Sequence, residues 1–235
     1  MKHAVKSFVL GLSLLLTNGS VAYAQDSEKG LEAGQKGDYT AALREFRPLA
    51  DQGNADAQNS LGGMYYKGQG VTQNYKEAVK WSRLAAEQGN AKAQNNLGGM
   101  YYKGQGVTQN YKEALNWFRL AAEQGNADAQ LVLGLMYNKG EGVTQYYKEA
   151  VKWFRLAAAQ GNAKAHRNLF LMYYKGYGVM KDNVYAHMWV NIVAANGDAD
   201  AVKIRDVVAK SMTAADISKA QDLARECVRK NYKGC

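Results

Sequence analysis

The chain predicts an all-α solenoid of helix-loop-helix repeats with a 36-residue period and about twelve helices. Three observations predict it. Gly-Asn-Ala recurs at Gly53, Gly89, Gly125 and Gly161, each 36 residues after the last, and Gly197 continues the phase with Gly-Asp-Ala. A fixed period of roughly 20–50 residues marks stacked repeats rather than one globular core. Within a period the apolar residues fall on two helical stripes. Across periods the tryptophans align at Trp81, Trp117, Trp153 and Trp189.

Residues 1–24 have the pattern of a secretory signal peptide. Lys2 and Lys6 form a positive start, Phe8 to Leu16 a short apolar core, and Ala22-Tyr23-Ala24 a small-x-small cleavage site. An apolar run of roughly nine residues is too short for a bilayer, which needs about 20. No cysteine stands at the cleavage point to take a lipid anchor. The expectation is a periplasmic or secreted chain starting at Gln25, without membrane insertion. The formal net charge of +9 falls to about +7 without Lys2 and Lys6. Nucleic acid is a usual partner of a basic protein, but export argues against it here. The charge suits a moderate affinity for acidic polymers, anionic lipid or an acidic partner, and simple solubility is the plainer reading of it.

Residues 25–235 read as a single solenoid: an N-terminal cap pair over 25–52, four repeats over 53–196 and a C-terminal cap over 197–235. In the first cap, Leu31-Glu32-Ala33-Gly34 leads through Gly37-Asp38-Tyr39 to Ala42, Leu43 and Phe46, with a short inter-helix loop. In the next unit, Asn54 caps a helix whose stripe is Ala57, Leu61, Met64 and Tyr65, at i, i+4, i+7 and i+8. Gly68 and Gly70 stop it near Lys67. A second helix starts near Tyr75, carries Ala78, Val79, Trp81, Leu84, Ala85 and Ala86, and ends at Gln88. Asp51–Ala86 and Glu87–Ala122 match at 30 of 36 positions, so these two units present nearly the same surface twice. Gly62, Gly98 and Gly134 sit inside first helices, where glycine costs about 1 kcal/mol relative to alanine; close helix contact is the expected compensation. Phe170 takes the same position in the fourth unit. In the last cap, Ala201 to Lys210 reads as a helix, and Thr213 opens the final one.

Cys227 and Cys235 are the only cysteines. In an exported chain an even count favours a disulfide; two free thiols and an intermolecular bridge are the alternatives. The two histidines after residue 24, His166 and His187, are too few for a zinc site, which takes three or four ligands. No cofactor is expected. Ser-x-x-Lys, Lys-Thr-Gly and Gly-x-Ser-x-Gly are absent, so serine hydrolase chemistry lacks its usual parts. Gly68-x-Gly70 and its copies follow a helix and no strand precedes them, unlike a phosphate cradle.

The run Ala-x-Ala-Gln-x-x-Leu-Gly-x-Met-Tyr, then Gly-x-Gly-Val, Tyr-x-x-Ala and Trp-x-x-x-Ala-Ala-x-x-Gly is complete between Ala55 and Gly89. It resembles the Sel-1-like repeat family of the tetratricopeptide superfamily, and the resemblance covers essentially residues 25–235. It implies a right-handed α-superhelix that assembles protein complexes without catalysis. The alternative is a cell-wall or β-lactam-acting enzyme like a cysteine-rich exported subfamily, but the repeats here hold no cysteine. In such superhelices the side of each first helix opposite the core stripe lines a concave groove. Those positions carry Asn59, Gly63, Tyr66 and Lys67; Asn95, Gly99, Tyr102 and Lys103; Leu131, Leu135, Asn138 and Lys139; Arg167, Leu171, Tyr174 and Lys175. Asparagine offers a donor and an acceptor to a peptide backbone, and tyrosine a flat apolar face with a polar tip. The expected occupant is a protein or extended peptide. The oligomeric state is left open.

Overall fold

The computed structural model describes residues 28–235. The expected signal peptide at 1–24 lies outside them. The described residues form an all-α fold of twelve helices without a strand. They are α1 (28–35), α2 (Tyr39–Asp51), α3 (Ala55–Lys67), α4 (Tyr75–Glu87), α5 (Ala91–Lys103), α6 (Tyr111–Glu123), α7 (Ala127–Lys139), α8 (Tyr147–Ala158), α9 (Ala163–Lys175), α10 (Asn183–Ala195), α11 (Ala199–Ala209) and α12 (Ala214–Arg229). Two compact units divide the chain, one ending at Gln109 and the other running from Asn110 to Cys235.

The repeat punctuates its own helices. Asn54 and Asn90 in the first unit, and Asn126 and Asn162 in the second, accept the N–H three residues on and so cap α3, α5, α7 and α9. Gly68, Gly104, Gly140 and Gly176 end the same helices in the left-handed conformation. The second helices begin behind Asn74, Asn110 and Asp182, each accepting two backbone N–H groups. Tyr146 stands in that place before α8 and makes no cap bond.

In the first unit α3 packs against α2 and α4, and α4 against α5. Alanines Ala57, Ala78, Ala85 and Ala93 are fully buried, which lets the helices approach closely. At Gly62 an added Cβ would lie 2.6 Å from Ser82 Oγ, whereas at Gly63 it would meet nothing within 4 Å. One glycine is thus a close contact and its neighbour an open position.

In the second unit α6 to α10 pack in sequence, and α10 also carries α11 and α12. A Cβ on Gly134 would lie 2.6 Å from the Phe154 ring. One repeat later those positions hold Phe170 and Val190, both buried in the same cluster, so the bulk has moved from the second helix to the first.

Two hydrogen-bond series repeat inside each unit. Gln58 and Gln94 donate side-chain N–H to the carbonyls of Ala50 and Ala86, and Gln130 donates to Ala122. His166 occupies the next position in that series and bonds Ala158 O through Nε2 at 3.0 Å. Arg47 and Arg83 donate to the hydroxyls of Tyr65 and Tyr101, as Arg119 and Arg155 do to Tyr137 and Tyr173. The tyrosines of the core stripe thereby keep their polar tips satisfied.

The C-terminal tail closes over the second unit. The structure pairs Cys227 with Cys235, Cα atoms 5.6 Å apart. Asn231 and Tyr232 take positive φ values of 49° and 64°. That turn brings the Tyr232 ring 4.8 Å from His166, which faces Trp189 at 5.4 Å.

Candidate functional site

The open side of the first helices is best described unit by unit. In the first unit α3 and α5 place Asn59, Tyr66, Asn95 and Tyr102 half-buried, and Lys67 and Lys103 exposed. Asn59 accepts from Asn96 Nδ2 at 3.0 Å. The Tyr66 hydroxyl donates to Gln105 Oε1 at 2.8 Å, and its ring meets Tyr75 edge-on at 5.3 Å. Gln73 and Gln109 donate to the carbonyls of Tyr66 and Tyr102, which fixes each inter-helix loop to the end of its first helix. The Asn95 Oδ1 atom is buried and accepts no hydrogen bond. Asn96 and Gln105 therefore belong to this surface. Their positions lie one residue off the stripe or in the loop, so helical periodicity alone did not select them.

In the second unit the expectation needs a correction. Leu131 is only 7% exposed and belongs to the core cluster, and Leu135 packs against that cluster. Leu131 is thus not an open-face residue, while Leu135 is half-buried like Asn59 and Tyr66. The reason is that α7 carries Leu131, Val132, Leu133, Leu135 and Met136. Apolar residues then surround most of the helix, and leucine withdraws from water where asparagine would not. Asn138 is half-buried, and its carbonyl accepts from Gln145 at 2.7 Å. Arg167 is ion-paired with Asp198. The Ala201 N–H bond, and then Arg167, hold the Asp198 carboxyl below its usual range. Leu171 and Tyr174 are exposed. The Tyr174 ring lies beside Phe170 at 5.6 Å, with Lys181 Nζ 5.8 Å from its centre.

The histidines serve packing. His166 fills a glutamine position of the repeat, and its bond to Ala158 needs the Nε2–H tautomer, which leaves Nδ1 without a partner. Burial lowers the pKa of both histidines, with Arg205 adding to the effect at His187.

A model of the Sel1 repeat matches this sequence four times, at residues 55–90, 91–126, 127–162 and 163–198. The chain belongs to the Sel1 repeat family. Two solved structures agree with that membership. A Sel1 repeat protein from Oxalobacter formigenes is 35% identical with a TM-score of 0.73, over 87% of this chain and 85% of that one. A protective antigen of uropathogenic Escherichia coli strains, described as displaying an SLR fold, is 36% identical with a TM-score of 0.75. That match covers 82% of this chain but 41% of the antigen. A sel1 repeat protein from Klebsiella pneumoniae subsp. pneumoniae, at 20% identity and a TM-score of 0.53, shares the fold. No curated protein matches the chain. Sel1 repeat proteins are protein-binding scaffolds, and the helical repeat is typically non-catalytic. Among the described residues of this Sel1 repeat protein, no helix is long and apolar enough to cross a membrane.

Proposed function

We propose that this Sel1 repeat protein is an exported, non-catalytic adaptor that holds a protein or extended peptide against the open faces of its first helices. The observation that carries the reading is the doubled face of the first unit. Asn59, Tyr66 and Lys67 recur as Asn95, Tyr102 and Lys103, on helices packed through the shared neighbour α4. Each face offers amide groups for a peptide backbone, an aromatic ring and a cation. A segment lying across both meets the same chemistry twice. The charge pattern at residues 1–24 and the Cys227–Cys235 pair support an oxidising, exported location.

The test begins with cross-linking in the native envelope and identification of the protein that co-purifies. Replacing Asn59, Tyr66, Asn95 and Tyr102 together by alanine should weaken that complex at least tenfold with helicity retained. Unchanged affinity in the quadruple variant would sink the reading. N-terminal sequencing of the exported chain should begin at Gln25.

A further inference from the structure

The repeat register gives every open-face position of one first helix an equivalent in the next. Where α3 and α5 carry Gly63 and Gly99, α7 carries Leu135, α9 Leu171 and α11 Val207. These equivalent positions are thus bare in the first unit and apolar in the second. Val207 is 58% exposed, Leu171 40% and Ile204 39%. On α11, Ile204, Val207 and Val208 fall at i, i+3 and i+4, one helical stripe. With Phe170, Tyr174 and Lys203 they line a cavity of about 220 Å³. The cavity opens to solvent on one side, so a side chain can enter it from outside. Stretches of exposed apolar surface rimmed by polar groups mark interaction sites.

Charge selects the occupant. The cavity wall contains Lys203 and no carboxylate, Lys181 lies 5.8 Å from the ring of the lining residue Tyr174, and the neighbouring Asp206 is paired with Arg205. Lys203 does contact Asp200 at 3.3 Å, but both side chains are about 80% exposed, and such pairs are worth little in water. A second copy of this chain is a poor occupant, because its net charge is also positive.

We propose that the α9–α11 cavity binds an acidic peptide segment of another protein, which inserts one leucine- or phenylalanine-sized side chain and sets carboxylates against Lys181 and Lys203. This goes beyond the adaptor reading, because it places a separate contact within the second unit. The apolar side chain supplies the anchor, as large buried residues do at interfaces. The lysines supply selectivity for acidic neighbours and steer the encounter.

The probe is a fluorescein-labelled pentapeptide, Asp-Glu-Phe-Asp-Glu, titrated against the oxidised full chain by anisotropy. Comparison peptides replace Phe by Ala, or the four acids by Lys. The acidic Phe peptide should bind at least tenfold more tightly than either, and more weakly as salt rises. Val207→Asp should lower its affinity at least tenfold, and Lys203→Glu should lower it and flatten the salt dependence. Val207 is exposed, so its variant should keep the wild-type melting profile; Ile204→Ser is the second variant if it does not. Equal binding of the three peptides, or full affinity in Val207→Asp, would overturn the cavity proposal. Binding lost only in the quadruple variant would overturn it and leave the adaptor reading standing. Capture of oleate without the peptide would assign the cavity to lipid and overturn it too.

Discussion

Tyr146 is the residue at which the repeat departs from its own rule. Asn74, Asn110 and Asp182 cap the other second helices with two hydrogen bonds each, and Tyr146 caps α8 with none. Restoring a cap is worth about 1 kcal/mol, so Tyr146→Asn should raise the urea midpoint of the second unit. The glycines give a matched contrast. Gly63→Ala has open space around it and should stabilise α3 by up to about 1 kcal/mol through helix propensity. Gly134→Ala drives a Cβ into the buried ring of Phe154 and should cost about 1–3 kcal/mol. Equal melting temperatures for the two variants would show that the ring yields freely. His166 adds a pH effect. Its pKa is lowered by burial, so below about pH 6.5 the unfolded chain takes up protons that the folded chain refuses. Stability is fully present above that pH and falls as pH drops towards the folded pKa. His166→Gln, which restores the side chain of the other repeats, should lose less stability between pH 8 and pH 5 than wild type. His187 is also held neutral by burial, so part of the slope should survive.

At the scale of helices, the C-terminal tail is an element made by a covalent bond rather than by a hydrophobic stripe. After α12 the chain has only a turn at positive φ, Tyr232 against His166, and the Cys227–Cys235 link. Protein isolated without reductant should show no alkylatable thiol by mass spectrometry. Cys235→Ala should release residues 228–235 to proteolysis and hydrogen exchange while the far-ultraviolet dichroism of the repeats persists. Unchanged protection of the tail would show that Tyr232 alone holds it. The helices themselves were legible in the sequence, because Asn54, Gly68 and their copies write each boundary and a strict period repeats it. The caps before the second helices were less legible, since Asn74 follows a loop with no apolar phase to mark its end. The register names a face on which Asn59, Tyr66, Asn95 and Tyr102 stand half-buried, but Leu131 on the same face is buried in the core. Register names the face on which a position lies, whereas burial there depends on how apolar the surrounding helix has become. The cavity beside α9 was missed for a related reason. Its far wall, Ile204 and Val207, sits in a region read as a cap, although the 36-residue register carried on from Leu171 would have reached Val207.

For the whole molecule, the excess of positive charge decides how a partner arrives more than how long it stays. Lys67 and Lys103 are exposed at the ends of α3 and α5, where cations also face the negative ends of the helix dipoles. Exposed rim charges gain little affinity in water but bend the approach of an oppositely charged partner. Lys67→Glu with Lys103→Glu removes two positive charges and adds two negative ones without touching the core. Association with the co-purified partner should slow by about tenfold at low salt, with a smaller change in dissociation, as expected for charge variants at the edge of an interface. The difference should shrink as salt shortens the screening length to about 8 Å near physiological ionic strength. The loss of two favourable dipole contacts should cost the helices about 0.3–1 kcal/mol each, so thermal melts must accompany the kinetics. Stopped-flow association rates at several salt concentrations make the measurement. A double variant that associates at the wild-type rate at every salt concentration would place the contact away from the ends of α3 and α5, and the exposed second-helix positions Leu84, Leu120 and Leu156 would be the next surfaces to mutate.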